Sequence, residues 1–128
     1  MAALTHIMYV DDEPDIRAIV EMALQAVGGF TVTLCQDGRE ALGKAPRVRP
    51  DPILLDVMMP GMDGPQTLEA LRRVPGLAGV PVVFMTAKVQ PAEVARFREL
   101  GAADVIAKPF DPMALSDQVR AVWDRLGR

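Results

Sequence analysis

The chain contains a single cysteine, Cys35, in 128 residues. No disulfide can close within it, and such usage fits a reducing, cytoplasmic setting. No stretch approaches the roughly 18 uncharged apolar residues that a membrane span requires. The start does not read as a signal peptide either, because the apolar run up to Val10 meets Asp11-Asp12-Glu13 at once. Basic residues form no stripe: Arg47/Arg49, Arg72/Arg73 and Arg96/Arg98 are scattered pairs, and the formal net charge is -3. Direct nucleic-acid binding by this chain is therefore disfavoured. There is no internal repeat, low-complexity tract or linker, and no strand is followed by a glycine-rich phosphate loop. What the chain does have is apolar residues, 50% of the total, enough to build a core at this length. The expectation is one domain over residues 1–128, read as a complete unit from its Met1 start and full last helix.

Stretch 52–64 is the part around which the rest is organised. It begins as a buried strand, ends in a lone carboxylate at Asp56, and then meets Pro60, Gly61 and Gly64, which force an irregular loop. Taken in order, residues 6–10 read as a first strand. Pro14 opens a helix whose apolar positions are Ile16, Ile19, Val20, Ala23, Leu24 and Val27, and Gly28-Gly29 ends it. Residues 30–35 form a second strand. Asp37 with Glu40 resembles a capping box for a helix through Ala45, with residues 46–50 as a loop. Residues 51–56 form the third strand, and Gly64-Pro65 opens a helix carrying Leu68, Leu71 and Val74. Residues 80–85 form the fourth strand, followed by a helix from Pro91 with Val94, Phe97 and Leu100. Residues 103–107 form the fifth, and Asp111-Pro112 starts a last helix with Leu115, Val119, Val122 and Leu126. Five strands alternating with five helices, the central strands continuously apolar, predict an α/β fold with a doubly wound parallel sheet.

In such a sheet ligands sit beyond the carboxyl ends of the strands. There the first strand supplies Asp11 and Asp12, the third Asp56, the fourth Thr86 and the fifth Lys108. Three converging carboxylates repel one another and raise at least one pKa unless a cation joins them. The hard, oxygen-seeking cation that suits them is Mg²⁺. A carboxylate nucleophile, a divalent metal, an ammonium and a hydroxyl together suit phosphoryl transfer.

Four segments, Val10-Asp11-Asp12-Glu13, Leu54-Leu55-Asp56 through Asp63-Gly64, Phe84-Met85-Thr86-Ala87 and Ala107-Lys108-Pro109-Phe110, each follow a predicted strand. Together, over essentially the whole length, they resemble the receiver domain of two-component response regulators, in particular stand-alone, CheY-like ones. The resemblance implies a flavodoxin-like sheet of order 2-1-3-4-5 and a cis Lys108-Pro109 bond. It implies that Asp56 accepts a phosphoryl group from a histidine kinase or histidine phosphotransfer protein. It makes Asp12 the direct Mg²⁺ ligand, Asp11 the water-mediated one, and the backbone carbonyl of Met58 a further ligand. Thr86 becomes the switch hydroxyl and Lys108 the phosphoryl-binding lysine. The surface read by an unknown downstream protein would be the fourth helix, fifth strand and fifth helix, in a monomer or a phosphorylation-dependent dimer.

Two positions depart from the commoner pattern or tune it. Many receivers carry an aromatic residue where this chain has Val105, which has no ring to swing. Activation is therefore expected to move the 86–88 loop and fourth helix without an aromatic rotamer change. Met58 is bulky and offers no group to orient a water, so slow self-dephosphorylation is expected.

Plainer readings stand beside these. Asp11-Asp12 could cap the first helix, Asp63-Gly64 is turn chemistry, His6 is structural or solvated, Cys35 is a small filler and Trp123 is a half-buried packing residue. Among functions, an aspartyl-phosphate hydrolase of the haloacid-dehalogenase type would need an Asp two residues after the nucleophile, where Met58 stands. Turnover on small substrates is not expected. A degenerate receiver acting only as a docking module is opposed by the full set of site residues.

Overall fold

A computed structural model describes residues 3–127. Five strands, β1 (His6–Val10), β2 (Thr31–Cys35), β3 (Ile53–Asp56), β4 (Val82–Thr86) and β5 (Asp104–Ala107), form one parallel sheet in the order β2-β1-β3-β4-β5. The helices are α1 (Pro14–Met22), α2 (Gly38–Val48), α3 (Gly64–Arg72), α4 (Pro91–Glu99) and α5 (Leu115–Arg125). Every predicted strand is present, and both faces of the sheet are covered. Side chains alternate across a strand, so β1 sends Met8 and Val10 into one core and Ile7 and Tyr9 into the other. The first core contains residues from α2, α3 and α4, the second residues from α1 and α5. The same alternation puts Asp11 on the Tyr9 side, just beyond the strand, where its N–H still donates to the Cys35 carbonyl at 3.1 Å. Register pairs Val10 with Leu55 and Asp56 with Met85, so the strand ends stand side by side.

Local structure departs from the sequence expectations at several points: β3 and β4 each start two residues later than expected, and Leu100 and Leu126 are exposed. The first helix continues past Met22 as a π-helical turn, Ala23–Val27, in which Gly28 N–H reaches the Ala23 carbonyl at 3.2 Å. A π turn rotates less per residue than an α turn, so Val27 lags behind the buried face set by Val20, Ala23 and Leu24 and is exposed, as is Ile19. The α5 helix closes on this turn: Ser116 Oγ donates to the Ala23 carbonyl at 3.0 Å, and the Arg120 guanidinium lies 4.7 Å over the Phe30 ring.

Another departure is α2, which runs through Pro46 to Val48 where a loop was expected. The proline removes one N–H from the ladder, but Ala45 is buried and Val48 packs on the core, so tertiary contact carries the last turn. The helix ends at Arg49, whose φ of 48° is left-handed. Asp37 caps α2 as expected, accepting from Glu40 N–H at 2.8 Å, but Glu40 reaches back to Gln36 N–H instead of Asp37. A reciprocal capping box occurs at Asp63 and Gln66. Asp111-Pro112 opens a turn, with Ala114 N–H on the Asp111 carbonyl, and α5 starts only at Leu115. Trp123 is more buried than expected, at 6% exposure.

Candidate functional site: an acidic cleft at the strand ends

Asp11, Asp12 and Asp56 each bring a carboxylate oxygen within 4.8 Å of the others. Asp11 and Asp56 are buried, and Asp12 is partly exposed. Lys108 enters from the end of β5 and donates to Asp11 Oδ2 at 3.1 Å and to Asp56 Oδ1 at 3.4 Å. The Lys108-Pro109 bond is cis, in line with the expectation. Thr86 is buried at the end of β4, and its Oγ accepts the Lys88 N–H at 3.1 Å. The structure thus brings together four of the predicted strand-end groups and places the fifth, Thr86, on the strand beside Asp56. Val105 is partly buried on β5, and the Met58 side chain is exposed.

The loop after β3 explains its glycines. Gly64 packs so tightly that a Cβ there would lie 2.8 Å from Val57 Cα and 2.9 Å from the Asp56 carbonyl oxygen. Its N–H closes the loop on the Val57 carbonyl at 2.9 Å. Gly61 takes φ 78°, a conformation that favours glycine. The backbone around Asp56 is therefore pinned from the start of α3.

The electrostatics follow from burial and crowding. Burial pushes the Asp56 carboxyl up to about 6, the Asp11 charge adds to the rise, and Lys108 offsets only part of it. Burial opposes the Lys108 charge, but Asp11 and Asp56 outweigh it and hold the ammonium above its usual range. The donor set is hard oxygen with an excess of negative charge, and it fits a small divalent cation.

Two groups at the site were not singled out by sequence reasoning. Tyr9, fully buried on β1, donates its hydroxyl to Asp11 Oδ2 at 2.6 Å. Arg17 of α1 donates to the Asp11 backbone carbonyl at 2.8 Å. A usable signal existed for Tyr9, which lies two residues before Asp11 and therefore on its face of the sheet. Arg17 carried no such signal, because its reach depends on how α1 settles. Two plainer readings are corrected: Asp63, expected as turn chemistry, is the N-cap of α3, and Asp11-Asp12 do not cap α1, whose N-cap is Glu13 with no side-chain cap bond. Two agree with the structure: His6 Nε2 lies 2.7 Å from Thr33 Oγ, and Cys35 is fully buried with its thiol pushed up to about 11 by burial.

Comparison with known proteins matches this arrangement to one family. The model of the response regulator receiver domain matches residues 7–120. The chain is 39% identical over 127 residues to the transcriptional regulatory protein CseB of Streptomyces coelicolor, covering 99% of this chain and 53% of that protein. It is 39% identical over 115 residues to the DNA-binding response regulator MtrA of Mycolicibacterium smegmatis, covering 90% of this chain and 49% of that one. It spans about half the length of these regulators. In structure it is similar to the chemotaxis response regulator CheY4 of Vibrio cholerae, with a TM-score of 0.86, 33% identity, and 94% and 99% of the two chains covered. A receiver-domain match over most of the chain, on a sheet whose strand ends gather three aspartates and a lysine, makes this chain a member of the response regulator receiver domain family.

Proposed function

We propose that this receiver takes a phosphoryl group on Asp56 from a phosphohistidine of a histidine kinase or phosphotransfer protein, in a Mg²⁺-dependent reaction. The observation that carries the reading is the convergence of Asp11, Asp12 and Asp56 within 4.8 Å with Lys108 beside them. An Asp56 carboxylate oxygen attacks phosphorus, the phosphorus–nitrogen bond to the donor imidazole breaks, and the imidazole leaves with the bonding pair. The product is an acyl phosphate on Asp56. Asp11, Asp12, Asp56 and the backbone carbonyl of Met58 would hold the Mg²⁺, which when bound supplies positive charge to the transferring phosphoryl oxygens. Lys108 supplies a second positive charge from the end of β5. The reaction is a single self-modification, and turnover on small substrates is not part of it.

The switch follows from the added charge, roughly -1.5 to -2 at neutral pH. Thr86 is the hydroxyl next to the new group, and its present bond from Lys88 N–H ties it to the 86–88 loop. A hydrogen bond to a charged group is worth about 1.5–3 kcal/mol, and inverting an equilibrium of about 1:10 takes about 2.7 kcal/mol, so one such bond is nearly enough. Val105 has no aromatic ring to move, so the readout is a shift of the loop and α4 presented on the α4-β5-α5 face to a downstream protein. A structure with beryllofluoride in which residues 86–101 stay in place would sink this part. We place the chain in the cytoplasm; no helix among the described residues is long and apolar enough to cross a membrane. The DNA binding named for MtrA belongs to that protein, and we propose no direct nucleic-acid contact here.

Intact mass after incubation with acetyl phosphate and Mg²⁺ tests the reading. The expected result is a gain of one phosphoryl group that is lost with EDTA and in Asp56→Asn. No gain, together with no binding of beryllofluoride, would favour a phosphorylation-independent docking module.

A further inference from the structure

One buried donor at the cleft has no role in that scheme. The Tyr9 hydroxyl and Lys108 Nζ converge on the same oxygen, Asp11 Oδ2, at 2.6 and 3.1 Å. The other oxygen, Oδ1, takes the Glu13 N–H at 3.0 Å. Arg17 binds the backbone carbonyl of Asp11, not its carboxylate. Lys108 lies nearer to Asp11 than to Asp56, at 3.1 against 3.4 Å. If it is to serve a phosphoryl group on Asp56, it must loosen its hold on Asp11. Asp11 has no exposed surface, so bulk water is a poor replacement for the donor Oδ2 would lose, and the protein group left on that oxygen is Tyr9. A buried carboxylate oxygen stripped of its donor resists the exchange. The Tyr9 ring is fully buried in the core shared with α1 and α5, which holds its hydroxyl against Oδ2.

We propose that Tyr9 is a positioning residue: by keeping Asp11 Oδ2 hydrogen-bonded, it releases Lys108 to the phosphoryl group on Asp56. The proposal rests on the phosphoacceptor reading of Asp56. It predicts that the phenol takes a larger share of Oδ2 when a phosphoryl mimic binds, and that removing the hydroxyl makes Asp11 compete for the lysine.

Tyr9 is the only tyrosine in the chain, so protein carrying tyrosine ¹³C-labelled at Cζ gives a single ring resonance. Beryllofluoride is titrated in the presence of Mg²⁺, following that resonance in the wild type and measuring affinity in the wild type and Tyr9→Phe. The expected result is a shift of the Cζ resonance beyond that caused by Mg²⁺ alone, with affinity about tenfold weaker in Tyr9→Phe, the low end of a bond to a charged group. A role in packing alone would lower the melting temperature of Tyr9→Phe and leave its affinity, read far below melting, at the wild-type value; that result overturns the proposal. So does a resonance that ignores beryllofluoride while the wild type binds it. Failure of the wild type itself to bind beryllofluoride would instead overturn the phosphoacceptor reading, and this inference with it.

Discussion

Asp56 and Asp104 are both buried carboxylates on the same sheet, and their surroundings are opposite. Asp104, at the start of β5, is held by Arg98 of α4 at 3.0 Å, by Arg125 of α5, and by the Val105 N–H at 2.8 Å. Both arginines reach in from solvent, so their charged heads keep much of their hydration. Asp56, at the end of β3, has one ammonium at 3.4 Å, which it shares with Asp11. Burial of charge is common to both sites and distinguishes neither. The distinction is supply: Asp104 has more cations than it needs and ties two helices to a strand, whereas the Asp56 cleft is short of positive charge and is suited to recruiting it.

That contrast can be broken by mutation, and the largest effect belongs to Asp56→Asn. Phosphoryl incorporation should be lost entirely, as read by intact mass. In metal-free buffer near pH 7.5 the variant should also be more stable, by on the order of 2–3 kcal/mol for a shift of about two pH units. The sign follows from the raised carboxyl, which sits at about 6 in the folded state. Its contribution favours folding below the ordinary carboxylate range and is lost as pH rises through about 6. Urea unfolding at several pH values should therefore show the advantage of Asp56→Asn shrinking toward pH 4. Added Mg²⁺ should narrow it at pH 7.5. An advantage that ignores both pH and Mg²⁺ would mean that charge crowding is not its cause.

Gly64→Ala attacks the same cleft through the backbone. The new Cβ would press on Val57 Cα and the Asp56 carbonyl, neither of which is a flexible side-chain end. A loss of about 1–3 kcal/mol is expected, measured by chemical denaturation. Acetyl phosphate labelling of the folded protein should slow as well, because the Asp56 backbone is displaced.

Asp104→Ala should move stability the other way from Asp56→Asn, by about 1–2 kcal/mol of destabilisation. The two freed arginines can turn to water, which limits the cost. Phosphoryl incorporation on Asp56 should persist. A stabilised Asp104→Ala would erase the contrast between the two carboxylates. The smallest structural change is Met58→Asn, on a side chain that is already exposed. Stability should stay near wild type, while the acyl phosphate decays faster because the amide can orient a water. An unchanged decay rate, followed by mass or by released phosphate, would remove Met58 from the account of lifetime.

Much of this was legible in the one-dimensional pattern, because the cues were local. Apolar runs of strand length, broken by Pro, Gly and Asp, marked β1 to β5, and position after a strand marked Asp11, Asp12, Asp56, Thr86 and Lys108. The parallel, doubly covered architecture follows from strands alternating with helices. These conclusions require only that side chains alternate along a strand and that a parallel pair needs a crossover.

Tertiary structure alone decided the rest. The run of α2 through Pro46 goes against local propensity and is sustained by packing of Ala45 and Val48. The π turn at Ala23–Val27, which leaves Val27 outside, depends on how α1 meets β2 and α5. The reach of Arg17 and the clamp of Arg98 and Arg125 on Asp104 involve side chains that could each have pointed into water, and the strand pattern puts Tyr9 on the face of Asp11 without saying which oxygen its hydroxyl meets. Which polar groups exist, and on which strand they stand, is written in the chain. Which oxygen each donor finds is a matter of a few ångströms between elements far apart in sequence, and only the packed fold sets that distance.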